Sequence, residues 1–228
     1  MTKSPKIRSN ILDRFQREVI AFYRIKGRKF YWRTNTLSPW GWLVLELLLK
    51  RTKAEAVERF FPSFIAKYHN PNRVIETSDL ELKRELGPLG LGKQRCTAMK
   101  LIASEILKTY DGSVPEDEAS LLSIPHIGLY ISHAILCFCY EQRKPVVDSN
   151  VVRVLSRVFG LTMPTDVRER WIWEFAERVL PNRSWREYSY GLLDIGAMVC
   201  KSNAPKCPEC RLRSMCIYAG RASKRRRQ

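Results

Sequence analysis

The sequence predicts an all-α protein, and three observations carry that prediction. No window of the 228 residues sustains the two-residue alternation of a half-buried strand, apolar residues recur at helical spacing, and Pro and Gly cluster between those stretches. Ile11, Leu12, Phe15, Val19, Ile20, Phe22 and Tyr23 form one face of a first helix, stopped near Gly27. Trp42–Leu49 reads as a buried helix. Ser78-Asp-Leu-Glu81 and Ser184-Trp-Arg-Glu187 have the form of capping boxes, in which a hydroxyl and a carboxylate satisfy N–H groups at a helix start. Gln94–Tyr110, Leu129–Tyr140, Ser149–Phe159 and Thr165–Leu180 complete a set of roughly ten helices. Gly87-Pro88, Gly90, Gly92, Pro125, Gly128, Pro145, Pro164 and Pro181 fall in the breaks.

The composition, 45% hydrophobic and 28% charged, is that of a globular chain and excludes disordered and fibrous classes. The longest near-apolar run, Pro39 to Leu49, is too short to span a bilayer and contains Glu46. The opening MTKSPKIRSN has no apolar signal core behind it. The expected location is therefore cytoplasmic and nucleoid-associated, or nuclear in a eukaryote, with no membrane partner. Charge is unevenly placed. Forty Lys+Arg against 23 Asp+Glu give +17; residues 1–33 carry 10 basic and 2 acidic residues, and residues 200–228 carry 9 and 1. Each end therefore holds +8, and 34–199 hold only +1. Excess cation of this size favours a polyanion, most simply nucleic-acid phosphate, although solvated tails or a membrane-surface helix share the signature.

Seven cysteines in a reducing compartment point to metal or chemistry rather than a disulfide scaffold. Cys200, Cys207, Cys210 and Cys216 have the spacing C-x6-C-x2-C-x5-C, and four thiolates this close can wrap one metal centre. Zinc ribbons set two close pairs far apart, whereas here one pair is close, so spacing leaves zinc and an iron–sulfur cube both open. Lys201 and Lys206 lie between the first two ligands, and Arg211 and Arg213 between the last two, so either centre would present cations in fixed positions. Cys96, Cys137 and Cys139 fall in helical segments and read as core thiols.

Leu122-Ser-Ile-Pro-His-Ile-Gly128 joins two helical segments by a short apolar turn. Such a turn is either a plain corner or a hairpin whose N–H groups, at the start of the next helix, bind a phosphate without reading a base. Twenty residues on, Asp148 follows Pro145-Val-Val147 and precedes a helix. It fits a helix N-cap, and equally a carboxylate held in a partly dry pocket. Glu46, among Leu43–Leu45 and Leu47–Leu49, fits the edge of a packed face better than a functional acid on periodicity alone.

The hairpin, the aspartate after it and the cysteine cluster, in that order, resemble the endonuclease III superfamily of base-excision DNA glycosylases from about Phe30 to Cys216. The resemblance implies a helix-hairpin-helix fold with a six-helix barrel domain (33–142) and a discontinuous cluster domain (1–32 plus 143–228). It favours a [4Fe-4S] cluster on Cys200, Cys207, Cys210 and Cys216 over zinc. In the bifunctional branch a lysine in the helix after the hairpin forms a Schiff base. Tyr130 stands there in this chain, and a phenol cannot form that imine, so no lyase activity is expected. The adenine glycosylase branch typically has serine there and a further C-terminal domain; this chain ends twelve residues after Cys216. The thymine–guanine mismatch branch carries tyrosine. That branch also resembles this chain in Phe30-Tyr-Trp-Arg33, Glu46-Leu-Leu-Leu-Lys-Arg-Thr52, Gly90-Leu-Gly-Lys-Gln-Arg95 and Val147-Asp-Ser-Asn150.

The implied activity is monofunctional removal of thymine or uracil opposite guanine by a monomer acting on mispaired double-stranded DNA. The alternatives are an adenine glycosylase and a non-catalytic, structure-specific DNA-binding protein. The resemblance assigns Asp148 to the sugar cation and the attacking water, Tyr130 to the flipped base, and Glu46 to the departing base or a water. Arg51 and Leu91 fill the vacated stack or face the estranged guanine. Lys50, Gln94, His126, Gly128, Lys201 and Lys206 complete the DNA-binding set. One departure stands out: the family hairpin has glycine where this chain has His126, so a positive φ there would strain the turn by roughly 1 kcal/mol.

Overall fold

A computed structural model describes residues 7–164 and 166–225, and of 222–225 the backbone only. The described residues form helices and connecting turns, with no strand among them. Helix α1 (Ser9–Lys26) buries Phe15, Val19 and Phe22, the stripe its apolar spacing predicts, and ends at Gly27. Burial of side chains this size stabilises by about 1.5–3 kcal/mol each. Then follow α2 (Tyr31–Thr34), α3 (Pro39–Leu49), α4 (Ala54–Lys67), α5 (Pro71–Glu76), α6 (Asp79–Leu86), α7 (Gly92–Thr109), α8 (Glu118–Ser123) and α9 (Leu129–Phe138). The remainder comprises α10 (Ser149–Phe159), α11 (Arg170–Val179), α12 (Trp185–Asp194), a π-helical turn Ile195–Val199, and α13 (Ile217–Arg225).

These helices separate into two compact units, one of residues Lys29–Gln142, the other of the described residues up to Arg28 and from Arg143 onward. In the first unit α3 is central. Ser38 Oγ accepts from Gly41 N at 3.1 Å, Pro39 occupies the first turn, and every residue from Trp40 to Leu48 is buried. Helices α4, α7 and α9 pack on it, with Trp42 stacked on Phe138 at 5.6 Å. Helix α4 has no counterpart in the set read from periodicity, and it carries Pro62 in its interior. Burial of Val57, Phe61 and Phe64 overrides the lost hydrogen bond. Ser78 caps α6 as its motif predicts, accepting from Glu81 N at 3.2 Å.

In the second unit α1 lies against α12. A Cβ at Gly191 would sit 2.5 Å from the Val19 carbonyl oxygen, so only glycine permits that approach. Arg28 closes the same junction, its backbone N and Nε donating to the fully buried Asp194 at 2.9 and 2.7 Å. Breaking such a pair from one side costs roughly 3–5 kcal/mol.

Three expectations need correction. Ser184 opens α12 but has φ +57° and makes no capping bond; the carboxylate of Glu187 pairs with Arg24 instead. Thr165 lies outside the described residues, and the helix expected from it begins at Arg170, because Asp166 takes the N–H of Arg168 into a tight turn. Cys139 falls just past α9 and is half-buried, unlike the core thiols Cys96 and Cys137. Lys3, Lys6, Arg226 and Arg227 of the basic ends lie outside the described residues.

Candidate functional site

In the unit 29–142 the candidate residues gather on three turns. Lys50 closes α3 and Arg51 follows it with φ +59°; both are exposed. Leu91 opens α7 with φ +56° and is 38% exposed, with exposed Gln94 one turn on. His126 has φ +65° and is exposed. Among the described residues seven non-glycine positions have positive φ, and three of them are these DNA-contact candidates. Left-handed backbone costs a residue with a side chain roughly 1–2 kcal/mol, so the surroundings must hold each in place. The strain expected for a histidine in the hairpin is present. Gly128 is extended and opens α9, and a Cβ there would meet nothing within 4 Å, which leaves its backbone open to a close-approaching group.

Tyr130 is half-buried in the first turn of α9. Glu46 is 4% exposed, which overturns the expectation that it sits at the edge of α3's packed face. The periodicity argument failed because α3 is buried all round and has no solvent edge where Glu46 sits.

Sequence reading does not single out Arg95, yet the structure gives it a central place. Its guanidinium is buried (4% exposed). Nη1 donates to the carbonyls of Leu89 (2.9 Å) and Gly90; Nη2 donates to those of Leu48 (3.2 Å) and Lys50 (3.0 Å) and to Thr52 Oγ1. Burial lowers its pKa from the ordinary arginine value. The available signal was spacing: Arg95 stands on the same helical stripe as buried Met99, Ile102 and Ile106.

In the other unit Asp148 N-caps α10, so the ordinary use of such an aspartate holds. Oδ1 accepts from Val151 N at 2.8 Å and Oδ2 from Asn150 Nδ2 at 2.7 Å. A carboxylate offers about four lone-pair sites, so two bonds aim it without exhausting it. A ladder continues from there. Arg153 donates to Asn150 Oδ1 (2.8 Å), to the Gly196 carbonyl (2.9 Å) and to the Cys200 carbonyl (2.7 Å). Gly196 is required here, since a Cβ would lie 2.6 Å from that of Asn150.

Cys200, Cys207, Cys210 and Cys216 line one cavity together with Val154, Ile195, Leu212 and Arg157. Among the described residues no three His, Cys, Asp or Glu side chains form a group that would hold a single ion. Burial, reinforced by the other three thiols, pushes Cys210 up to about 11; burial also raises Cys216. Four sulfurs round one cavity are the donor type that a thiolate-bound metal centre takes, and such a centre would supply the cationic charge that deprotonating them requires. Arg157 donates to Cys200 Sγ at 3.5 Å and stacks on Tyr218 at 4.6 Å. Lys201 and Lys206 are exposed on this loop, and Arg211 pairs with Glu18 of α1 at 2.8 Å.

The comparisons agree with this geometry. Residues 44–177 match the HhH-GPD superfamily of base excision DNA repair proteins. The thymine/uracil-DNA glycosylase of Methanothermobacter thermautotrophicus is 30% identical over 210 residues, covering 92% of this chain and 95% of that protein. The structure of a thermostable thymine-DNA glycosylase superposes with a TM-score of 0.88 at 29% identity, covering 93% of this chain and 98% of the other. The adenine DNA glycosylase of Mycobacterium tuberculosis is 32% identical over 202 residues, but this chain spans only 64% of it. A fold of helices alone, a helix–turn–helix with its turn backbone exposed, and relatives matched almost end to end lead to one assignment: the chain belongs to the HhH-GPD superfamily of base excision DNA repair proteins.

Proposed function

We propose that the protein is a monofunctional DNA glycosylase that hydrolyses the N-glycosidic bond of thymine or uracil mispaired with guanine. The observation that carries this reading is the near end-to-end match to a thymine/uracil-DNA glycosylase, with tyrosine at position 130. The mispaired nucleotide rotates out of the duplex at a cost of a few kcal/mol, less than for a paired one. Arg51 and Leu91, already presented on exposed turns, occupy the space it leaves and face the guanine, whose O6 and N7 accept from a guanidinium. Lys50, Gln94, Lys201 and Lys206 and the backbone at His126 and Gly128 hold phosphates, which positions the enzyme without reading sequence.

Tyr130 packs on the extruded pyrimidine. As the bond from C1′ to the base nitrogen breaks, positive charge builds on the sugar. The bonding pair leaves on the base nitrogen; the Asp148 carboxylate, aimed by Val151 N and Asn150 Nδ2, stabilises the sugar cation, orients the water whose oxygen bonds C1′ and takes the proton that water loses. Glu46 serves the departing base or a water. Residues 33–142 form the barrel domain and the remainder the cluster domain. Cys200, Cys207, Cys210 and Cys216, which line one cavity, would hold a [4Fe-4S] cluster, the centre that the family resemblance of their spacing favours over zinc. When bound, the cluster supplies a structural staple for a loop poor in apolar residues. Among the described residues no helix is long and apolar enough to cross a membrane.

A panel of duplexes, each with one mispair, treated with alkali after incubation, tests the reading. Release of thymine and uracil opposite guanine, with no strand nicking before alkali, is the expected result. Release of adenine alone, opposite guanine or 8-oxoguanine, would establish the adenine glycosylase alternative. Salt-sensitive binding without base release would establish a non-catalytic module.

A further inference from the structure

We infer that Arg95 is a positioning residue that locks the turns carrying Arg51 and Leu91 into one preset wedge. This rests on the reading that those two side chains enter the duplex. The turn after α3 and the turn before α7 are separated by about forty residues of chain (Thr52 to Leu91), yet a single guanidinium holds both. One nitrogen serves Leu89 and Gly90, the other Leu48, Lys50 and Thr52. The acceptors bracket the two strained residues: Lys50 and Thr52 flank Arg51, and Gly90 precedes Leu91.

None of these five acceptors carries a charge; four are carbonyls and one a hydroxyl. Burying a guanidinium among neutral acceptors is an expensive way to stabilise a core, since an apolar side chain of similar volume fills space better. What the fork supplies is geometry: its planar N–H groups address two loops at fixed angles, which a lysine ammonium does not reproduce. Left-handed turns at Arg51 and Leu91 relax if their carbonyl neighbours are released. A wedge held ready before DNA arrives avoids ordering two loops during base extrusion. Arg95 therefore acts through Arg51 and Leu91 and touches no substrate.

The test uses the full chain with Arg95→Lys, and Thr52→Val as a milder variant that keeps the arginine. Thermal melting monitors folding. Single-turnover uracil release is measured from a G·U mispair and from uracil opposite an abasic site, where the target is already poorly stacked. Fluorescence of a 2-aminopurine beside the target reports unstacking. Arg95→Lys is expected to slow release from the mispair roughly tenfold to a hundredfold. Release opposite the abasic site should fall about threefold at most, with unstacking lost; Thr52→Val shows the same split more weakly. In a Leu91→Ala, Arg51→Ala background, Arg95→Lys should add less than about twofold.

Equal losses on both substrates, full additivity in that background, or unchanged kinetics overturn the inference. If Arg95→Lys does not fold, Thr52→Val decides by the same split. If the wild-type protein releases no pyrimidine, the functional reading fails and the 2-aminopurine signal alone decides. A wild-type unstacking signal abolished by Arg95→Lys upholds the wedge, and its persistence, or its absence from the wild type, rejects it.

Discussion

The turns at Arg51, Leu91 and His126 and the start of α10 at Asp148 hold their side chains by opposite means. The first three sit in left-handed backbone on exposed turns, and the turns of two of them, Arg51 and Leu91, share one buried arginine of α7. Asp148 sits in ordinary extended backbone at a helix start, held by bonds from residues two and three positions on. One region spends local stability on shape; the other uses unstrained capping and anchors it through Arg153 to the cysteine loop. The difference matches the proposed tasks. A wedge must keep an outward shape against solvent, whereas a carboxylate must keep only its direction.

Four experiments break or sharpen that contrast. The largest effect is expected for Asp148→Asn. Asparagine caps a helix about as well as aspartate, so melting should barely change, while base release falls by roughly 10²–10⁴ and mispair binding persists. A melting loss as large as the kinetic loss would reduce Asp148 to a cap. Next, Cys210→Ala should remove iron and its visible thiolate-to-metal absorbance and lower the melting temperature. A colourless wild-type protein loaded with zinc would overturn the cluster assignment.

Tyr130→Lys comes third. It should yield a borohydride-trapped DNA adduct at a small fraction of the base-release rate, and its absence would show that this side chain does not reach C1′. The smallest effect belongs to His126→Gly, which relieves a positive φ. Stability should rise by about 1 kcal/mol, or roughly 2–4 °C in melting, with a slightly shallower salt dependence of binding if the imidazole contacts phosphate. A melting temperature that falls would place the histidine in a supporting contact.

Much of the fold was readable. The start of α10 at Ser149, the stripe of α1 and the cap of α6 emerged from local chemistry, and the structure has them in those places. Where local rules failed, packing had overruled them. Pro62 does not end α4, Ser184 does not cap α12, and Glu46 is buried where periodicity favoured an edge. The cysteine spacing marked four candidate ligands, but Arg95, met only as the end of a motif, and Arg153 were given no role, because each bonds carbonyls more than forty residues away.

By itself, then, the sequence determined what depends on neighbours a few residues apart. That covers the helical periodicity, the thiol spacing, the hairpin, and the concentration of cation at both ends. Tertiary structure decided what depends on groups distant in the chain. It brought the Leu48 and Lys50 carbonyls and the Thr52 hydroxyl onto the guanidinium that also holds Leu89 and Gly90, α1 onto Gly191, and Asn150 against Gly196. The physical reason is range: capping and periodicity act within a few residues, whereas a buried fork and a missing Cβ act only once the chain has folded back on itself.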